Sequence, residues 1–173
     1  MPYTFQIQSS LNQNYIVPKT SALKNSFINY TIQGIDKAGN NKNAETYWVS
    51  KTDPKHLTAD LSQPVLMYNP KENLFFGDSE QIIPMKSPNQ GKTGSVAGAF
   101  NFTTSDISPR FIFKLVGSQY EIFIDDYRIT DKTTLTKKLV MDKTNSSRVL
   151  ITDAEILRDG LNVDDKWIIT AIS

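Results

Sequence analysis

Residues 110–125 constrain the fold more tightly than any other part of the chain. Phe111, Phe113 and Leu115 alternate with Ile112, Lys114 and Val116; Gly117-Ser118 follows; then Tyr120, Ile122 and Ile124 alternate with Glu121, Phe123 and Asp125. Two runs of period two joined by a Gly-X pair specify a β-hairpin. The turn is expected to be type II′, because glycine accepts the positive φ of the first turn position. Asp125-Asp126 then turns the chain into Tyr127-Arg128-Ile129, which extends the hairpin to a three-stranded meander.

The rest of the sequence agrees with a sheet. There are 17 Ile and nine Phe but only eight Ala and five Glu. Branched and aromatic side chains suit a pleated, half-buried surface, whereas Ala and Glu favour helix. Further strands are expected at 4–8, 14–17, 26–35, 45–50, 56–61, 64–68, 73–76, 81–85, 97–103, 136–141, 148–152 and 166–172. Turn clusters separate them, among them Asp36-Lys37-Ala38-Gly39-Asn40-Asn41 and Asn69-Pro70-Lys71-Glu72-Asn73. One short helix is expected near 153–159, with Thr152 or Asp153 accepting its first N–H groups, Glu155 in the first turn and Gly160 closing it. A weaker helical turn is expected at Thr20 to Asn25. The Pro- and Gly-rich stretch 84–98 reads as a long surface loop within one domain spanning 1–173. A chain of this length buries about 70% of the surface its unfolded form exposes, so a single core is sufficient without a staple.

A dozen short strands in one domain fit a β-trefoil of three four-stranded units, or alternatively a two-sheet β-sandwich. Division by three gives units slightly under 60 residues, and no repeat of that period is visible in the sequence. The closing segment Asp164-Asp165-Lys166-Trp167-Ile168-Ile169-Thr170-Ala171-Ile172 resembles the final strand of β-trefoil lectins, in which a Trp enters the core ahead of alternating apolar residues. The Q-x-W repeats of the ricin-type family are missing. The run from Tyr30 to Asn40 resembles a strand and turn of immunoglobulin-like sandwiches.

Composition removes whole classes of chemistry. The chain has no cysteine and one histidine, so disulfides, thiolate metal sites, a cysteine nucleophile and a multi-histidine centre are excluded. Nineteen basic against 18 acidic groups leave a net charge of +1, unlike the strong basic bias of a duplex nucleic-acid binder. Gly91-Lys92-Thr93 imitates the end of a phosphate-binding loop, but Lys86 stands where the motif needs glycine. His56 is the single imidazole base available, and no serine occupies a G-x-S-x-G elbow. The acidic doublets Asp125-Asp126 and Asp164-Asp165 fall where turns are expected and read as solvated. Asp125, Asp126 and Asp131 are weak calcium candidates without the spacing of an EF-hand loop, so no metal and no cofactor is expected. No basic, apolar leader and no 18-residue apolar span is present, which implies synthesis in the cytoplasm without a signal peptide; a virion is the alternative location.

The positive signal is aromatic. Tyr47-Trp48 and Phe75-Phe76 are adjacent pairs, and successive side chains of a strand face opposite ways, so one ring of each pair is directed away from one face of the sheet. Tyr47, Trp48, Tyr68, Phe75 and Phe76 are therefore the candidate ligand-binding residues. The expected function is non-enzymatic recognition of a glycan or a protein surface, lectin-like or inhibitor-like, with no catalytic residues, no nucleic acid and no membrane span. The alternative is a structural subunit of a larger assembly such as a phage or viral particle, acting as a homo-oligomer or in a multi-protein complex.

Overall fold

The computed structural model describes residues 3–20, 30–35, 44–52, 61–84, 93–100, 109–125, 137–143, 148–153 and 163–172. Within them the chain is all-β, with thirteen strands, one 3-10 turn at Ala44–Thr46 and no α-helix. The strands are β1 (Thr4–Ser9), β2 (Tyr15–Thr20), β3 (Tyr30–Ile35), β4 (Trp48–Lys51), β5 (Leu66–Asn69), β6 (Leu74–Pro84) and β7 (Thr93–Phe100). They continue as β8 (Arg110–Val116), β9 (Gln119–Asp125), β10 (Lys137–Asp142), β11 (Val149–Asp153), β12 (Val163–Asp164) and β13 (Trp167–Ala171). The helix expected near 153–159, the helical turn after Thr20, the strand at Tyr127-Arg128-Ile129 and His56 lie outside the described residues, apart from the terminal positions 20 and 153.

The β8–β9 hairpin forms with the expected register, from Arg110 opposite Asp125 to Val116 opposite Gln119. Gly117 has φ of 66°, and Ser118 is not among the positive-φ residues, which matches type II′ and excludes type I′. Three segments differ from expectation. The strand expected at 45–50 begins only at Trp48, because Ala44–Thr46 form a 3-10 turn. The strands expected at 73–76 and 81–85 are one strand, β6, whose register against β7 shifts between Asp78 and Ile82. Gly77 and Asp78 continue the strand in register, opposite Gly98 and Ala97, and the irregularity falls at 79–81. The loop expected over 84–98 gives up its last part to β7, where Gly94 pairs with Ile83. Small residues at Gly94, Ala97, Gly98 and Ala99 leave this strand without a hydrophobic alternation to read.

The strands join in one antiparallel, curled sheet in the order β11-β10-β9-β13-β1-β2-β3-β7-β6-β5-β4, with further pairings β11–β7 and β1–β4. Six strands follow one another in a cycle of pairings. β1 pairs β4, β4 pairs β5, β8 pairs β9, β9 pairs β13, and β13 returns to β1. The remaining link, next to β5, is the bridge Val65–Phe111, with N–H···O distances of 3.0 and 2.7 Å. Three antiparallel pairs, β2–β3, β6–β7 and β10–β11, flank this cycle, and β7 contacts both of the others.

The core fills the space enclosed by these strands. Phe5, Ile7, Ile16, Trp48, Met67, Phe76, Phe111, Ile122, Leu139 and Trp167 are all buried in one cluster. Both indoles find a polar partner: Trp48 Nε1 donates to Ile16 O at 3.1 Å and Trp167 Nε1 to Leu139 O at 2.9 Å. At the turns after β1 and β5, Gln13 and Asn73 take positive φ of 59° and 55°. Each turn is tied back to its strand, by Gln8 Nε2 donating to Gln13 O and by the Tyr68 hydroxyl donating to Asn73 Oδ1.

Candidate functional site

The five aromatic candidates divide between core and surface. Trp48 and Phe76 are 0% exposed and pack together with ring centroids 5.2 Å apart. They are core residues: β4 and β6 turn these rings to the enclosed face, so neither can stack on a ligand. Phe75 is nearly buried, whereas Tyr47 and Tyr68 are half-buried. Tyr68 and Phe75 stand opposite each other on β5 and β6, with centroids 4.9 Å apart. Lys51 Nζ lies 4.2 Å from the Tyr68 ring centre and 5.8 Å from that of Phe75. This is a cation–π arrangement at a half-exposed ring, so part of the Tyr68 surface is already engaged.

A second surface lies at the end of the β8–β9 hairpin, and pattern alone does not reveal it. Phe111, Phe113 and Leu115 share one face of β8. Phe111 is fully buried and Phe113 nearly so, yet Leu115 is 63% exposed, with Val116 beside it at 43%. The inward stripe thus runs past the end of the core and stays uncovered. Tyr120 stands directly opposite Leu115 and packs edge-on against Phe113 at 6.3 Å. Tyr3 stacks on Phe5 at 5.5 Å, and burial together with the neighbouring Tyr120 raises its phenol pKa, so it remains a hydrogen-bond donor. Tyr3, Tyr120 and Ile169 are partly buried against the core. The result is an aliphatic tip at an aromatic end of the sheet. Its sequence signal was the continuation of alternation to the last residue before the turn, a pattern that specifies facing but not cover.

The acidic residues are placed differently from expectation in one doublet. Asp165 accepts from Lys138 Nζ at 3.1 Å and Lys166 Nζ at 2.9 Å, and Glu121 meets the same two lysines at 3.2 and 2.8 Å. Asp164 accepts from Ser10 Oγ at 2.6 Å. Asp164-Asp165 is therefore part of a partly buried network and not a solvated turn. Burial alone would raise the Asp165 carboxyl, but hydrogen bonds from Lys166 and Lys138 outweigh it and hold the group below its ordinary 3.8. Lys166 is held above its ordinary 10.5, since its bonds to Glu121 and Asp165 outweigh its own desolvation. Asp125 is half-buried at the end of β9, while Asp126 and Asp131 lie outside the described residues. Among the described residues no group of three or more His, Cys, Asp or Glu converges as a metal site, and no helix is long and apolar enough to cross a membrane.

No protein-family model matches the chain, and no curated protein matches its sequence.

Proposed function

We propose that the chain is a β-trefoil recognition module that binds a protein surface through the aliphatic and aromatic end of the β8–β9 hairpin, without catalysing a reaction. The trefoil reading is supported by the cycle of six paired strands flanked by three antiparallel pairs. It is supported again by recurrence: Phe5 faces Trp48, Val65 faces Phe111 and Tyr120 faces Trp167. The first members stand at 5, 65 and 120, at intervals of 60 and 55 residues, close to the period expected of three units. A two-sheet sandwich offers no reason for the same pairing to return three times.

One observation carries the functional reading. Leu115 belongs to the inward stripe yet is 63% exposed, which leaves an apolar surface that a partner would cover. By the same recurrence, Leu115 corresponds to Thr52 and Ala171, so the other two units end in small or polar side chains at this place. A large aliphatic residue at one of three equivalent corners is a local specialisation. The test is affinity capture from the native source with the wild-type chain and with the Leu115→Ser/Val116→Ser variant. A partner retained by the first and lost with the second, at unchanged melting temperature, is the expected result; equal retention by both sinks the proposal.

A glycan is the second reading, favoured by the half-exposed Tyr68 ring beside Lys51. A Tyr68→Ala variant probed on a glycan array separates it, because that substitution leaves Leu115 and Val116 untouched. The corner would equally serve as a subunit contact in a larger assembly, and native mass of the captured complex distinguishes that case.

A further inference from the structure

Equivalent positions in the three units can be read directly from the pairings. The contacts Phe5–Trp48, Val65–Phe111 and Tyr120–Trp167 align Gln6 with Leu66 and Glu121, Thr46 with Pro109 and Asp165, and Tyr47 with Arg110 and Lys166. The contacts Gln8–Tyr15, Tyr68–Phe75 and Phe123–Lys138 align Tyr15 with Phe75 and Lys138. In the core some of these alignments match shape with shape, as Trp48, Phe111 and Trp167 or Ile7, Met67 and Ile122 do, while Phe5, Val65 and Tyr120 differ in size. Where the shapes match, an apolar core accepts one unit's side chains in another's place at modest cost.

At the junction between each unit's first and last strands the chemistry differs completely. The first unit joins Gln6 Nε2 to Thr46 Oγ1 by a buried hydrogen bond of 2.7 Å. The second buries Leu66, Phe75 and Pro109, and sends the Arg110 guanidinium to Thr52 O at 3.1 Å. The third links Glu121, Lys138, Asp165 and Lys166 through four ion pairs. The charged set of the third unit and the apolar set of the second cannot be exchanged. Glu121 in the place of Leu66 would bury a carboxylate among apolar side chains, and Leu66 in the place of Glu121 would remove one acid from between two lysines.

We infer that the Glu121–Lys138–Asp165–Lys166 cluster is a register lock, a device that keeps the third unit from assembling in the position of another. It acts against misassembly and adds little to the stability of the native state, as charged contacts at register-determining positions do elsewhere. The inference rests on the trefoil reading. It is tested by giving the third unit the chemistry of the first, with Glu121→Gln, Lys138→Tyr, Asp165→Thr and Lys166→Tyr. Because this set is already accommodated in the first unit, the variant is expected to fold with a melting temperature close to wild type.

After refolding from urea the neutral variant should show about a tenfold larger fraction of misassembled chains, scored by native mass spectrometry and hydrogen exchange. A control that inverts all four charges, Glu121→Lys, Lys138→Glu, Asp165→Lys and Lys166→Glu, should refold to a single species. A neutral variant that refolds as cleanly as wild type overturns the lock. If that variant fails to fold, Glu121→Gln and Asp165→Asn singly serve in its place, and clean refolding of both overturns the lock equally. The trefoil reading is checked separately by nuclear Overhauser contacts across Val65–Phe111 and Phe5–Trp48 in the wild-type chain; their absence removes the fold reading whatever the refolding result.

Discussion

At the scale of the residue, two indoles and one glycine do more than fill space. Trp167 closes the core and satisfies its own indole by donating to the Leu139 carbonyl. A Trp167→Phe substitution removes that donor and leaves a gap, so urea unfolding should report a loss of about 1–3 kcal/mol. Trp48→Phe should behave alike, because Trp48 makes the corresponding bond to Ile16. Gly117 has open space where a Cβ would sit, and its strain is confined to φ of 66°. Gly117→Ala should therefore cost about 1 kcal/mol through backbone conformation alone, measurable as a lower urea midpoint at unchanged slope. Trp167 was legible in the sequence as a core residue through the resemblance of its segment to the closing strand of β-trefoil lectins. Trp48 was not: a Tyr-Trp doublet says that one ring faces in, and only the paired strands decide which.

At the scale of the element, the hairpin and the charged junction make opposite demands. Leu115 and Val116 lie outside the core, so the Leu115→Ser/Val116→Ser variant should unfold within about 0.5 kcal/mol of wild type while losing its partner. The junction should instead show itself in pH dependence. Asp165 is depressed in the folded state, so its contribution is present above its unfolded pKa and is lost as pH falls through the folded value below 3.8. Lys166 is raised, so its contribution is present below its unfolded pKa and is lost as pH climbs through the folded value above 10.5. Asp165→Asn should flatten the acid limb of a stability profile by lowering the neutral plateau toward it, by less than about 1 kcal/mol for so partly exposed a network, which chemical denaturation across pH 2–7 would read. The hairpin was legible to its last residue because alternation and turn chemistry agree there. The first half of β7 was hidden because its glycines and small residues carry no alternation, and the junction was hidden because it gathers residues from β9, β10 and the turn before β13, far apart in sequence.

At the scale of the whole molecule, class was legible and arrangement was not. Ile and Phe enrichment with short runs between turns is enough for an all-β chain, but strand order depends on pairings between distant segments. The proposed threefold relation shows why repeat searching is silent: Gln6, Leu66 and Glu121 occupy one kind of place with three unrelated chemistries, and Phe5, Val65 and Tyr120 another. Equivalence is kept in register while residue identity, and at Val65 size, has gone. The pairing of β1 with β13, which sets Phe5 against Ala171 and Ser9 against Trp167, has a kinetic corollary. Such a contact closes a loop of nearly the whole described chain, so folding belongs among the slower, milliseconds-to-seconds class of β proteins. During synthesis β1 can meet β2 and β4 early, yet its other edge waits for β13. Until then it is an unprotected strand edge, and the interval before β13 emerges is when the chain is most exposed to aggregation.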